Sequence, residues 1–191
     1  MFSFYYRTSD RPDRFELALK HARQAASLRP DLASSWNNVG VAHYMLNHYE
    51  DAAEAYRQFN FWLGEWTSYS KDGEKQGENR IVSVMNGCGL QENWTGRDGR
   101  YQGTSYNFYD RATGQWHQTW MDNQGGHLFL TGRFNGNSMQ LSGTQQTPDG
   151  PLVNRITWTP LEDGRVRQHW QMSKDAGESW STAFDGFYQR N

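Results

Sequence analysis

With 191 residues, the chain holds one large domain or a modest domain with a helical appendage. Its net charge of −2 excludes the basic field that nucleic acid needs, and its single cysteine, Cys88, excludes an intrachain disulfide or a cysteine-based zinc site. No apolar run approaches the ~20 residues of a membrane span, and Met1–Arg7 lacks the basic-then-apolar order of a secretory signal, so a cytoplasmic protein is expected.

From Arg14 to about Phe59, apolar and small residues recur at helical spacing and glycine is scarce. Trp36-x2-Val39-Gly40-x2-His43 and Ala52-x3-Tyr56 resemble the first and second helices of a tetratricopeptide repeat. Ala18, Ala22, Ala25 and Pro30 stand where a preceding second helix would carry its small residues and terminal proline. The resemblance implies about one and a half repeats, with helices near 13–29, 34–46 and 49–60. About three repeats are normally needed to bury a continuous core. The segment is therefore expected to serve docking to a protein partner or homodimerisation, or to be the remnant of a longer array.

After Trp66 the texture changes. Asp-Gly, Asn-Gly and related turn clusters recur about every ten residues, at 71–73, 86–87, 97–99, 113–114, 123–126, 135–136, 149–150, 162–164 and 176–177. Such dipeptides tolerate positive φ and favour tight hairpins. They separate about ten strands joined in sequence order, and an up-and-down barrel gives so many meandering strands no free edge. The expected fold class is α+β and multidomain: a short all-α segment over residues 11–59, then an antiparallel β-barrel over residues 60–191.

Strand side chains alternate between faces, so parity assigns sets. Leu90, Glu92 and Trp94 go together, as do Thr104, Tyr106 and Phe108; Trp116, Gln118 and Trp120; Met139 and Leu141; Ile156 and Trp158; and Val166, Gln168, Trp170 and Met172. With the more apolar set taken as interior, aromatic walls are interrupted by Glu92, Gln118 and Gln168. A barrel of this width is not filled by side chains alone, and apolar walls with a few polar groups describe a ligand cavity. Strand 104–109 is the ambiguous one. Inverted, it would turn Ser105, Asn107 and Tyr109 inward.

Gly64-Glu65-Trp66 at the head of the strands resembles the entry motif of the calycins, the lipocalin-like and fatty-acid-binding-like barrels. Phe59–Trp66, Gly87–Trp94, Gly103–Asp110, Trp116–Gly126 and Arg155–Pro160 resemble phrases of a bacterial calycin-like domain family with no assigned activity. The likeness spans about residues 59–190. It implies that Trp66 closes one barrel end under an arginine of the last strand, for which Arg190 is placed. Ser173-x-Asp175-x-Gly177-x-Ser179-Trp180 resembles the Asp-box of sialidase-type propellers, and its single occurrence implies a stable hairpin without sialidase chemistry.

The expected function is binding of a small apolar or aromatic molecule, with Glu92, Trp94, Tyr106, Gln118, Trp120, Trp158, Gln168 and Trp170 as ligand contacts and Trp66 and Arg190 as structural residues. The alternatives are an isomerase, cyclase or dehydratase using Glu92 as general acid or base, with Asp122 a second carboxylate, and an interaction module on a filled barrel. No cofactor or metal is expected. Haem, which some ten-stranded bacterial barrels hold through one histidine, would need His117, His127 or His169. Parity turns His117 and His169 away from the tryptophan face, and no His-x-His or His-x3-His spacing occurs.

Overall fold

A computed structural model describes residues 12–28 and 54–191. The chain divides into two compact units, Met1–Arg57 and Gln58–Asn191. In the first, one helix, α1 (Pro12–Leu28), is described together with a helical turn at 54–57. Leu19 and Ala26 of α1 are buried and Ala22 is half-buried, whereas Ala18 and Ala25 are exposed. The buried stripe thus lies one position on from the expected small-residue face. The expected helix at 34–46, with Trp36, Val39, Gly40 and His43, falls outside the described residues, as does Ala52 of the expected helix at 49–60.

The second unit is a closed antiparallel barrel. Its strands are β1 (Gly64–Tyr69), β2 (Lys75–Val84), β3 (Gly89–Gly96), β4 (Gln102–Asp110), β5 (Gln115–Asp122), β6 (His127–Phe134), β7 (Met139–Thr147), β8 (Gly150–Pro160), β9 (Val166–Ser173) and β10 (Ser181–Arg190). Each strand pairs with its sequence neighbours, and β1 closes on β10 through Trp66 opposite Arg190 and Tyr69 opposite Phe187. Up-and-down connectivity follows from the turns: every connection carries one of the glycine clusters read from the sequence, with a positive-φ glycine within it or at its edge. The stable hairpin expected at 173–180 joins β9 to β10 and is bonded to itself. Asp175 accepts from Ser173 Oγ (2.6 Å) and from the Ser179 amide (2.9 Å), and Trp180 Nε1 donates to the Gly177 carbonyl (3.0 Å).

One end of the barrel is plugged by aromatic rings. A 3-10 turn at Asn60–Trp62 carries the chain into β1 and seats Phe59 and Trp62 inside. Phe59 stacks on Trp62 (5.0 Å, 18°) and meets Trp116 and Trp158 edge-on (5.6 and 5.2 Å). Trp66 Nε1 donates to the Trp62 carbonyl at 2.9 Å, tying the turn to the first strand. The Arg190 guanidinium lies 4.3 Å above the Trp66 ring, a cation–π contact. This contact explains the glycine of Gly-x-Trp. Gly64 has φ +136°, and a Cβ there would stand 2.5 Å from Arg190 Nη1.

Candidate functional site

At the other end, where the β1–β2, β3–β4 and β9–β10 turns form the rim, the barrel opens into a cavity of about 610 Å³. Ligand pockets typically occupy about 300–1,000 Å³. Trp94 of β3, Trp120 of β5, Trp170 of β9 and Phe184 of β10 are its aromatic walls, with Leu128 and Ile156 completing the apolar lining. Trp94 and Phe184 meet edge to face (5.7 Å, 87°). Trp170 Nε1 donates to Asn154 Oδ1 (2.9 Å) and Trp120 Nε1 lies 3.4 Å from Asp122 Oδ2, so two of the three indoles are anchored to the protein.

Glu92 lines the cavity while being only 3% exposed. Asn79 Nδ2 donates to its Oε1 (2.8 Å) and Ser105 Oγ to its Oε2 (2.7 Å). The network continues both ways around the barrel. Asn107 Nδ2 donates to Ser105 Oγ (2.9 Å) and Gln118 Nε2 to Asn107 Oδ1 (3.0 Å). Asn79 Nδ2 also reaches Tyr188 OH (3.3 Å), which donates to Gln168 Oε1 (2.7 Å). Burial raises the Glu92 carboxyl to about 7, against the pull of the Ser105 and Asn79 hydrogen bonds. Burial, then the neighbouring Glu92 charge, pushes the Tyr188 phenol well above its ordinary value. Glu92 therefore changes protonation near neutrality inside a low-dielectric site.

Six of the eight residues read as ligand contacts line the cavity: Glu92, Trp94, Gln118, Trp120, Gln168 and Trp170. Trp158 points inward as parity requires, yet it is fully buried in the aromatic plug at the closed end. Tyr106 is a correction. It faces outward and is 45% exposed, as is Phe108 at 46%. Strand β4 has the inverted parity, and Ser105 and Asn107 are the buried residues. Register is the cause: Glu92 pairs with Ser105 and Trp94 with Gly103, and paired residues share a face. Gly103 must be small, because the Trp120 ring fills the place of its Cβ, at 2.1 Å from Cζ2. Tyr109, also inward in that alternative, is half-buried against the core.

No family model matches the chain, and no curated protein matches it. What the site can do therefore rests on its own geometry.

Asp122 is occupied structurally. Burial opposes it, but the amides of Gln124 and Gly126 and the side chains of Tyr101 and Trp120 hold its carboxyl below the usual range. It is a turn-capping acceptor at the rim, unsuited to carry a proton near neutrality. His117 stacks on Phe108 (5.1 Å), His169 meets Thr182 (3.0 Å) and His127 packs on Phe129 (5.5 Å). None of the three lines the cavity. Among the described residues, no three His, Cys, Asp or Glu side chains come together as a metal site.

Asn79, Tyr101, Phe184 and Tyr188 were not singled out by sequence reasoning. Asn79 was accessible to it: counting outward from the Asn86-Gly87 turn sets Asn79 opposite Trp94. Tyr188 was not, since its contact with Asn79 arises only when β10 closes on β1.

Proposed function

We propose that this barrel binds a small apolar or aromatic molecule in its open cavity, with Trp94, Trp120 and Trp170 as walls and Glu92, Gln118 and Gln168 as orienting groups. The observation that carries this reading is the open 610 Å³ space above a polar floor, in a barrel whose other end is plugged by the buried rings of Phe59, Trp62 and Trp158. It also speaks against a filled scaffold. The helical segment is assigned to docking or dimerisation, in keeping with exposed Leu17 and Leu28 on α1. The calycin and tetratricopeptide likenesses remain part of this proposal.

A second reading is favoured by one observation, the Glu92 carboxyl near neutrality in an apolar pocket. Such a group can take and return a proton at physiological pH, as an isomerase, cyclase or dehydratase requires. On this reading Glu92→Gln abolishes turnover, whereas in a simple binder it leaves affinity for a neutral ligand largely intact.

Cavity binding is tested with a neutral solvatochromic naphthalene dye. Saturable 1:1 binding with energy transfer from the tryptophans is expected. Filling the cavity by Leu128→Trp, or hooding its mouth by Ala183→Trp, should weaken binding at least tenfold without loss of the cooperative unfolding transition. Dye affinity unchanged in both folded variants would contradict the reading.

A further inference from the structure

We propose that the cavity is built for an organic cation, an aromatic molecule bearing a protonated amine whose nitrogen sits against the Glu92 carboxylate among the indole walls. The proposal rests on the ligand-binding reading and names the chemical class of that ligand.

The first ground is the charge pattern. Glu92 lies at the cavity floor, and the groups that donate to it, Asn79 and Ser105, are neutral. No lysine, arginine or histidine among the described residues forms an ion pair with it. The other charged residues lining the cavity are Glu74, Lys75, Arg97 and Asp98, all exposed and all at the rim, in the turns or at the first residue of β2. Their charges balance, so the rim favours neither sign. A buried carboxylate without a countercharge is costly, and the empty volume beside it is where that countercharge can enter.

The second ground is geometry. The two neutral donors fix the carboxyl group by one bond to each oxygen. A carboxylate offers about four lone-pair sites, so acceptor capacity is left for an ammonium. Indole rings attract cations over their faces. The N–H groups of Trp120 and Trp170 are directed to Asp122 and Asn154, so these rings offer the ligand carbon surface and no donor. An anionic ligand would meet the Glu92 charge with little to offset it.

The third ground is competition with the proton. Below about 7 the carboxyl is protonated by virtue of its burial, and a cation must displace that proton. The titratable groups that sense Glu92 are the phenols of Tyr188 and Tyr101, both raised, so neither changes charge in the same range. Amine affinity should therefore rise with pH and level off above neutrality.

The test is calorimetric titration of the full chain with three matched indoles: tryptamine as cation, indole-3-ethanol as neutral isostere and indole-3-propionate as anion. Tryptamine is expected to bind at least tenfold tighter than the alcohol at pH 8. Its affinity should fall about tenfold at pH 6, in proportion to the ionised fraction of Glu92. At pH 7, wild-type binding heats should depend on the ionisation enthalpy of the buffer, reporting proton release on tryptamine binding alone, and Glu92→Gln should erase the preference. If the alcohol or the acid binds as well as tryptamine, the cation class is overturned while the cavity reading stands. If none of the three binds although the neutral dye does, the cation class again falls alone. If neither indoles nor dye bind, both readings fall.

Discussion

Replacing Trp62 by alanine is expected to lower the unfolding free energy of the barrel by about 3–5 kcal/mol, the range for truncating a fully buried large aromatic. Trp62 is 0% exposed and contacts Phe59, Trp158 and Tyr188, at 5.0, 5.3 and 6.4 Å between ring centroids. Its backbone carbonyl also holds the Trp66 indole, so the void would open beneath the point where β1 meets β10. Tyr106→Ala, on the outer face of β4, should cost no more than about 1 kcal/mol. Urea unfolding followed by far-ultraviolet circular dichroism measures both. Equal effects of the two substitutions would mean that the aromatic end is not the structural plug described.

The second large effect is on pH dependence. A carboxyl held at about 7 in the folded protein, against 4.5 ordinarily, keeps its proton in the native state after the unfolded chain has lost it. Its contribution to stability is therefore greatest below 4.5, falls as pH rises towards 7, and is flat above that. Between pH 5 and pH 8 the loss is on the order of 2–3 kcal/mol. Glu92→Gln cannot titrate, so the variant should gain on the wild type by about that amount over the same interval. Whatever the amide costs in hydrogen bonding with Asn79 and Ser105 enters at both pH values and cancels. The carboxylates held low, Asp163 and Asp185 among them, are common to both chains and cancel likewise. A difference between variant and wild type that does not change with pH would show that Glu92 is ionised throughout.

The fold was legible where local chemistry dictates it. Turn-forming dipeptides such as Asn86-Gly87 and Asp98-Gly99 need no tertiary contact to favour a hairpin, and the strands between them follow in order. Alternation assigned the faces of β3, β5, β7 and β8 from Glu92, Gln118, Leu141 and Trp158, and that of β9 from Gln168 and Trp170, which line the cavity. Strand β4 failed because apolarity was taken as the sign of the interior. There the inner face must supply hydrogen-bond partners for Glu92 and room for the Trp120 ring, so Ser105, Asn107 and Gly103 point in and Tyr106 and Phe108 point out. Trp158 exposes a different gap. Parity gives the face of a residue but not its height along the barrel, which decides whether an inward ring packs the plug or lines the cavity. The link from Tyr188 to Asn79 joins residues far apart in sequence and forms only on closure. No local pattern announces it.

The proposed occupant of the cavity is a small molecule, and native mass spectrometry of gently isolated full chain, beside its denatured mass and after addition of the neutral dye, shows whether it is there. One non-covalent molecule per chain, carried from the source or taken up from the dye and lost on denaturation, is the expected result. The same spectrum reads whether the chain is a dimer. A bare chain before and after dye addition would contradict it.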